Sequence, residues 1–320
     1  MVYPFVSVIV PAYNAEKTMS LCIESLISQD YPKDKYEIII VDNNSTDETA
    51  EIIKSYSVTY LLEDKIQTSY AARNTGIRHA KGEILAFTDA DCIADKNWLK
   101  EGVKAFADST IAAISGNMLP YKPETWIELF QSKQNVLNHA ILFSESRLRT
   151  KAASIATGNA FFRKMIFDKV GFFYDQWIGG ADTDMSYKIQ RETDFKLAYF
   201  PDAIVYHKHR TSLKELWKQY VRYGQSDIMI RYKYHWEKAE KLKADSGQFK
   251  PFYWRIRATI IQASLELIKI FLLFLITGGK YKTELSEAFL NLYIKTAHFY
   301  GSCKVAIKNK IPLHFFLPQE

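Results

Sequence analysis

Segments typical of strands and of helices alternate along the first third of the chain, and this alternation limits the possible folds more than any other feature. Strands are predicted for five short apolar runs: Val6–Val10, Tyr36–Val41, Val58–Leu62, Glu83–Thr88 and Ile111–Ser115. Helices are predicted between them at Glu16–Ser28, Glu48–Ser55 and Ser69–Ala80, the second opened by a capping box of Ser45 and Glu48. This order predicts an α/β fold with a mostly parallel, doubly wound sheet and helices on both faces.

Polar clusters follow three of these strands at their carboxyl ends: Pro11-Ala12-Tyr13-Asn14, Asp42-Asn43-Asn44 and Asp89-Ala90-Asp91. In a doubly wound sheet the ligand binds beyond the carboxyl ends of the strands, so we expect these clusters to meet at one edge. The pattern G-x-G-x-x-G does not follow the first strand, and G-x-x-x-x-G-K-[ST] is absent from the sequence. A dinucleotide fold and a P-loop are therefore disfavoured.

The acidic pair Asp89 and Asp91 ends a strand that is predicted to be buried, and two carboxylates so close repel each other unless a positive charge lies between them. Mg²⁺ or Mn²⁺ would remove that repulsion and bind a diphosphate at the same time. An isolated D-x-D is more often a solvated turn. Arg73, early in the preceding helix, could pair with phosphate or orient Asp89, or form an ordinary surface ion pair. Asp42 could accept a hydrogen bond from a nucleoside, or assist the Ser45 cap.

The C-terminal part of the chain is basic and less regular. Residues Lys208–Arg257 hold thirteen Lys or Arg against five Asp or Glu, a balance of +8 where the whole chain has +6. Such a segment suits anionic lipid headgroups, phosphates or nucleic acid, or is a solvated helical surface. Residues Ala258–Thr277 are strongly apolar with one polar stripe. This pattern predicts an amphipathic helix that lies on a membrane or on the protein rather than one that spans a bilayer.

Cysteine usage and the N-terminus bear on the location of the protein. The three cysteines, Cys22, Cys92 and Cys303, form neither a disulfide framework nor a metal-ligand pattern, which favours a reducing compartment. The first residues lack the basic segment of a signal peptide. We therefore expect a cytoplasmic protein, peripheral to the cytoplasmic face of a membrane, and no nucleic-acid partner.

A series of short motifs resembles family 2 glycosyltransferases of the GT-A fold, over about Val6 to Gly224. The motifs are Val6–Asn14, Ile40–Asp47, Ala72–Gly76, Thr88–Asp91, Gly158–Phe161, Gly180–Asp184 and Val205–Arg210. Each motif alone is loose, but together and in this order they are specific. The resemblance implies an inverting transfer of a sugar from a nucleotide-diphosphate sugar of the UDP, GDP or dTDP type. The acceptor would be a hydroxyl of a glycan or glycolipid, in polysaccharide, glycolipid or cell-envelope glycan synthesis.

The resemblance also implies roles for individual residues. Four residues would line the nucleoside pocket: Pro11, Ala12, Tyr13 and Asp42. Asp89 and Asp91 would serve the ribose and the diphosphate bound by Mn²⁺ or Mg²⁺, and His207 would approach the metal or the diphosphate. Asp182 would be the general base that deprotonates the acceptor hydroxyl as it attacks the anomeric carbon, so that base and metal must flank the sugar.

The chain departs from the family pattern at two places. Members of the family often have Glu-Asp at the base position, where this chain has Ala181 before Asp182. Asp184 is the rival base, or a charge that favours the start of a helix. The run from Gln219 to Tyr223 resembles the Q-x-x-R-W motif of processive polysaccharide synthases but ends in Tyr, and those enzymes thread their polymer through several spanning helices. Transfer of a single sugar is therefore expected, and Arg222 could still contact the diphosphate or the acceptor.

Two other functions remain open from the sequence. A metal-dependent nucleotidyltransferase would share the fold, the carboxylates and the metal, but its Gly-rich basic loop is missing after the first strand. A non-catalytic nucleotide-sugar-binding protein would not need Asp182. We expect a GT-A domain over residues 1–224, with a nucleotide-binding half to about residue 118 and an acceptor half over 119–224. A basic and amphipathic helical extension, associated with a membrane, would follow over residues 225–320.

Overall fold

The chain divides into two compact units. A computed structural model describes residues 3–134, 153–241, 252–277 and 279–309, so that residues 135–152 of the expected acceptor half lie outside the described residues. One unit comprises Met1–Glu124 and Gln131–His209, and the other Thr125–Phe130 and Arg210–Glu320. The expected boundary at residue 224 stays a prediction.

The first unit is built around a sheet of eight strands with helices between them. The strands are β1 (Val6–Ala12), β2 (Tyr36–Asp42), β3 (Thr59–Leu62), β4 (Ile84–Thr88), β5 (Cys92–Ala94), β6 (Ile111–Pro120), β7 (Asn159–Arg163) and β8 (Lys196–His207). The helices are α1 (Met19–Ile27), α2 (Thr49–Lys54), α3 (Ser69–His79), α4 (Trp98–Lys104), α6 (Met165–Val170) and α7 (Ala181–Glu192), while α5 (Trp126–Lys133) begins in the second unit.

The strand order in the sheet is β3-β2-β1-β4-β7-β6-β8-β5. Strands β3, β2, β1 and β4 are parallel neighbours, and β6 is parallel to β8. Strand β7 runs antiparallel to both β4 and β6, and β5 antiparallel to β8. The predicted α/β fold, with a mostly parallel sheet and helices after it, is therefore confirmed. The antiparallel strand β7 adds a feature that the sequence patterns did not indicate.

Apolar side chains cover both faces of the sheet. Successive residues of a strand point to opposite faces, so that Val8 and Val10 lie in one cluster and Ile9 in the other. The first cluster also contains Met19 of α1 and Trp98 of α4. The second is completed by side chains of α3, α6 and α7. Burial on both faces explains why β1, β2 and β4 are almost continuous apolar runs.

The beginning of α2 differs from the prediction. The helix starts at Thr49, and the Ser45 and Glu48 side chains form no capping box. Instead, Ser45 Oγ accepts a hydrogen bond from the backbone N–H of Asn14 at 3.0 Å. Asp47 Oδ1 accepts from the backbone N–H of Thr49 at 3.1 Å. The predicted box is therefore wrong, because a contact with the loop after β1 engages the Ser45 hydroxyl.

Long helices form the described part of the second unit. They are α8 (Leu213–Lys241), α9 (Phe252–Ile276) and α10 (Lys282–Lys308), and Arg222 lies exposed on α8. Helices α8 and α10 approach closely at Gly224 and Gly301, where an added Cβ would lie 1.9 Å from His298 O and 2.0 Å from Val221 O. In the residues that the structure describes, no helix combines the length and the apolar character that crossing a bilayer requires.

Candidate active site

The three polar clusters meet at the carboxyl edge of the parallel strands. Ala12 is opposite Asp42 in the pairing of β1 with β2, and β4 lies on the other side of β1. Pro11 and Ala12 are buried within β1, so that they present backbone rather than side chain at this edge. The Tyr13 side chain, by contrast, is 51% exposed. Of the residues expected around a nucleoside, Tyr13 is thus the most accessible.

Asp42 is buried at the end of β2. Its Oδ1 accepts a hydrogen bond from the backbone N–H of Ser45 at 3.1 Å, and its Oδ2 accepts from the Tyr60 hydroxyl at 3.3 Å. Burial and the Asp42 charge raise the pKa of Tyr60, which keeps this phenol a donor. Asp42 therefore fixes the loop after β2.

Asp89 is balanced by a buried arginine. Asp89 and Asp91 lie in the turn between β4 and β5, so the geometry of an extended strand does not govern their side chains. The Arg73 guanidinium Nη2 donates to Asp89 Oδ1. The Arg73 side chain is 4% exposed and that of Asp89 37%. Arg73 of α3 therefore supplies a positive charge beside the acidic turn, Asp89–Asp91. This contact fits the role of orienting Asp89, one of those that the sequence left open for Arg73.

Asp91 lies beside a histidine of β8. The pairing of β5 with β8 sets Cys92 opposite His207, and Asp91 Oδ2 is 3.5 Å from His207 Nε2. His207 Nδ1 is in turn 3.3 Å from His209 Nδ1. Among the described residues there is no group of three or more His, Cys, Asp and Glu side chains that could hold a metal ion by themselves. Of the three predicted metal ligands, the structure thus brings Asp91 and His207 together, while Arg73 engages Asp89.

Asp182 stands at the start of α7 and accepts three hydrogen bonds. Its Oδ1 accepts from the backbone N–H of Thr183 at 2.9 Å and from the Tyr70 hydroxyl at 3.1 Å. Its Oδ2 accepts from the backbone N–H of Thr157 at 3.3 Å. Gly180, the residue before α7, has φ of +88°, a left-handed conformation that glycine adopts without strain. Asp182 is half-buried, so that its carboxylate is held in place without being enclosed.

Asp184, the rival base, has different surroundings. It is 1% exposed, and its Oδ2 is 3.6 Å from Lys188 Nζ, one turn further along α7. An acceptor hydroxyl could reach this carboxylate only after a rearrangement of the helix. The geometry therefore favours Asp182 over Asp184 for contact with a substrate.

Two adjacent residues connect the surroundings of Asp89 and Asp182. The backbone N–H of Thr157 donates to Asp182, and an added Cβ on the next residue, Gly158, would lie 3.3 Å from Asp89 Oδ2. These residues lead into β7, whose Asn159 is paired with Thr88 at the end of β4. The backbone segment that leads into β7 thus lies beside both Asp89, which is expected to bind the sugar donor, and Asp182, the expected base.

Sequence reasoning missed Tyr70 and Thr157 as members of this site. Tyr70 is buried on the first turn of α3, three residues before Arg73, whose guanidinium carbon lies 5.4 Å from the centre of its ring. The signal available was the i, i+3 spacing, which places both side chains on one face of the helix. Thr157 contributes a backbone N–H, for which the side chain gives no signal.

Two buried thiols lie behind the acidic turn. Burial, with smaller contributions from the charges of Asp91 and Asp89, raises the pKa of both Cys22 and Cys92. Cys92 Sγ is 3.8 Å from Asp91 Oδ1, and Cys22 Sγ is 3.6 Å from the backbone oxygen of Asp89. Both thiols therefore stay protonated and act as weak donors to the turn rather than as nucleophiles.

Comparisons with known proteins identify the family of the chain. The model of the family described as Glycosyl transferase family 2 matches residues 7–171. Glycosyltransferase AglE of Haloferax volcanii is 37% identical over 71% of this chain and 74% of its own. A dolichyl N-acetyl-α-D-glucosaminyl phosphate 3-β-D-2,3-diacetamido-2,3-dideoxy-β-D-glucuronosyltransferase of Methanococcus voltae is 27% identical over 71% and 74%.

A solved structure shares the fold. The mannosyltransferase PcManGT from Pyrobaculum calidifontis, in complex with GDP-Man and Mn²⁺, superposes with a TM-score of 0.63 at 22% identity, over 96% of this chain and 88% of its own. At 22% sequence identity, this structural similarity supports the GT-A fold alone. The family model covers more than half of the chain, and AglE is well above 30% identical. The chain is therefore a member of glycosyl transferase family 2.

Proposed function

We propose that this glycosyltransferase moves a single sugar, with inversion, from a nucleotide-diphosphate sugar to an acceptor hydroxyl, with Asp182 as the general base and with a divalent cation at Asp91 and His207. Family membership decides against the nucleotidyltransferase hypothesis. The observation that carries the proposal is the hydrogen bond from Thr157 N–H to Asp182 beside Gly158, where an added Cβ would lie 3.3 Å from Asp89 Oδ2, because both carboxylates then border one short backbone segment.

The proposed reaction is a single displacement. The acceptor oxygen attacks the anomeric carbon while its proton passes to Asp182, and the bond from that carbon to the diphosphate oxygen breaks. The electron pair of that bond leaves with the nucleoside diphosphate. Oδ1 of Asp182 already accepts two hydrogen bonds and Oδ2 only one, so that Oδ2 has the acceptor position for the incoming hydroxyl. A general base of this kind contributes about 10²–10⁴-fold to the rate.

The residues at the acidic turn fit a divalent cation. The partly exposed Asp91 carboxylate beside His207 offers an oxygen and a nitrogen donor, and Asp89 lies two residues before Asp91. Sites of this kind use one or two carboxylates and take further oxygens from substrate phosphates, so a complete protein cage is not required. When bound, Mn²⁺ or Mg²⁺ would stabilise the negative charge on the departing diphosphate. The PcManGT complex contains Mn²⁺, which supports a divalent cation in this protein as well.

The donor's nucleoside would lie at the edge formed by β1 and β2. The exposed Tyr13 ring is available to stack on a base, and the buried Asp42 would hold the loop after β2 beside that base. The donor is then a UDP, GDP or dTDP sugar of the hexose type, bound at Pro11–Tyr13, Asp42, Arg73 and Asp89.

The acceptor would be a glycan or glycolipid at the cytoplasmic face of a membrane. The Methanococcus voltae relative is named for a dolichyl-phosphate-linked sugar, which supports a lipid-linked acceptor. Helix α9 exposes apolar side chains spaced as one helical face: Ile261, Leu265, Ile268, Leu272 and Leu275. With the basic balance of +8 over Lys208–Arg257, this face suits an anionic lipid surface.

Turnover of sugar nucleotides tests the reaction. A panel of UDP, GDP and dTDP sugars, including GDP-mannose and UDP-N-acetylglucosamine, is incubated with the protein and Mn²⁺, and release of nucleoside diphosphate is measured. We expect one donor to be turned over, with activity lost in EDTA. Asp182→Asn should lower kcat by about 10²–10⁴-fold and leave binding of that donor unchanged.

Asp184→Asn is the matched variant, since it removes the same charge from the same helix. A large loss of kcat in Asp184→Asn with full activity in Asp182→Asn would reverse the assignment of the base. Full activity in EDTA after exhaustive dialysis would contradict the proposed dependence on a divalent cation.

Flotation with lipid vesicles tests the membrane surface. The full chain should float with vesicles of phosphatidylcholine and phosphatidylserine, and Leu265→Ser with Leu272→Ser should weaken binding at least about tenfold, because both side chains lose their burial in lipid. Gln262→Ser, on the polar side of α9, combined with Thr277→Ser, one residue past its end, is the control that should still float. A full chain that never floats, or a Leu265→Ser, Leu272→Ser protein that floats as well, would contradict membrane association.

A further inference from the structure

The Tyr70 hydroxyl contacts Gly180, the residue before α7, and Asp182, the second residue of that helix. It accepts a hydrogen bond from the backbone N–H of Gly180 at 3.0 Å and donates one to Asp182 Oδ1 at 3.1 Å. Tyr70 itself is 5% exposed. One buried phenol thus contacts both the turn before the helix and the carboxylate that the helix presents.

The direction of these hydrogen bonds is fixed. The N–H of Gly180 can only donate, so the phenol oxygen accepts from it and its own proton is left for Asp182. Burial, together with the negative charge of Asp182, raises the pKa of Tyr70 well above its ordinary value, which keeps that proton on the phenol. With Thr183 N–H also on Oδ1, both acceptor positions of this oxygen are filled, and Oδ2 is turned toward the side of Thr157.

The Tyr70 ring has little freedom to move. It packs on Phe173 with the ring centres 5.7 Å apart, and the Arg73 guanidinium lies over it. The helix that carries it is capped by Thr68, whose side chain accepts from the backbone N–H of Ala71 at 3.1 Å. A phenol fixed in this way defines the position of whatever its proton contacts.

We propose that Tyr70 is a positioning residue that holds the Asp182 carboxylate with Oδ2 toward the acceptor hydroxyl. This inference rests on the proposed role of Asp182 as base. Tyr70 touches no reacting atom and acts only through Asp182. Its loss should therefore affect the chemical step and leave donor binding unchanged.

The test is Tyr70→Phe, which keeps the ring and removes the hydroxyl. With GDP-mannose or UDP-N-acetylglucosamine, whichever the wild type turns over, kcat should fall about 10- to 100-fold, the range for one hydrogen bond to a charged group. The donor KM should change less than about threefold. In an Asp182→Asn background, Tyr70→Phe should lower kcat no further, because the two residues act as one unit.

Tyr31→Phe is the matched control. Tyr31 is equally buried, at 5% exposed, and its hydroxyl donates to the backbone oxygen of Pro4 at 2.6 Å. This variant should lower the unfolding midpoint about as much as Tyr70→Phe and leave kcat unchanged. An unchanged kcat in Tyr70→Phe, or an equal fall of kcat in the Asp182→Asn background, would overturn the positioning role. If Asp182→Asn itself keeps full activity, the proposed role of Asp182 as the base is wrong.

Discussion

Arg73 carries a charge but is almost fully buried, and this sets the energetics of the acidic turn. A buried guanidinium is tolerated when it is paired. Here Asp89 provides the ion pair, and the Tyr70 ring provides an aromatic face 5.4 Å from the guanidinium carbon. The two partners are unequal, since the Asp89 side chain is 37% exposed and that of Arg73 only 4%. Loss of the carboxylate therefore leaves a charge that water cannot reach.

We predict that Asp89→Ala lowers the free energy of unfolding by about 3 kcal/mol, because it leaves Arg73 buried without its counter-charge. Adding Arg73→Met to the same chain should recover most of that loss. Urea unfolding at neutral pH measures both. Asp30→Ala, which breaks the exposed ion pair with Lys100, is the control and should leave the unfolding midpoint unchanged. A double variant no more stable than Asp89→Ala would contradict the explanation.

At this scale the sequence predicts residue types better than their partners. Asp89 could be identified because carboxylates after a strand end are a recognisable pattern, Arg73 from its place in the helix before that strand, and Asp182 through the resemblance to the family. The hydroxyl of Tyr70 on Asp182 joins residues 112 positions apart in the chain, and no local pattern reports such a contact. Likewise, Asp91 contacts His207 whereas Asp89 contacts Arg73, and this difference depends on where the fold places β8 and α3.

Among the elements, local patterns predicted β1 to β4, the helices between them and the first half of β6, but not β5, β7 or β8. The first strands are continuous apolar runs with helices between them, so each can be identified by itself. Strand β7 contains Asn159 and Ala160 of the motif Gly158–Phe161, and it is held in the sheet by pairing with β4 and β6. In β8, the turn-like Pro201 and Asp202 fall where the register shifts between Gly116 and Asn117, so the strand continues past them.

The crossing of α8 and α10 depends on two glycines. We predict that Gly224→Ala lowers the free energy of unfolding of the second unit by about 1–3 kcal/mol, since its methyl group would meet the backbone of His298 rather than a movable side chain. This outweighs the gain in helix propensity from alanine. Thermal unfolding followed by circular dichroism measures the change. Thr296→Ala, on an exposed part of α10, is the control, and equal midpoints for the two variants would contradict a close crossing.

For the molecule as a whole, acid should act through carboxylates that are hydrogen-bonded in the folded state. Burial alone would raise the pKa of Glu63, but hydrogen bonds from Thr75 and from the backbone of Ile66 and Lys65 outweigh it and lower that pKa. Burial is outweighed in the same way at Asp47, where Thr49 and the backbone of Glu16 donate. The unfolded chain therefore binds more protons than the folded one in mild acid.

We predict that the contribution of Glu63 and Asp47 to the free energy of unfolding is fully present above the ordinary carboxylate pKa, near 4. It should be lost as the pH falls from there through the lowered pKa values of the folded state. Urea unfolding at a series of pH values between neutrality and strong acid measures this. Glu63→Gln should be less stable than wild type at neutral pH and lose less on acidification, while Glu192→Gln, on the exposed surface of α7, should follow wild type. Parallel pH curves for wild type and Glu63→Gln would contradict the assignment.

The sheet ends in β3 on one side and β5 on the other, and these strands have only four and three residues. An outermost strand presents unpaired backbone groups that can recruit a strand of another chain, and the number of such groups scales with its length. Among the residues that the structure describes, the shortness of these two edge strands therefore limits how many backbone groups another copy of the chain could pair with, and so limits edge-to-edge aggregation.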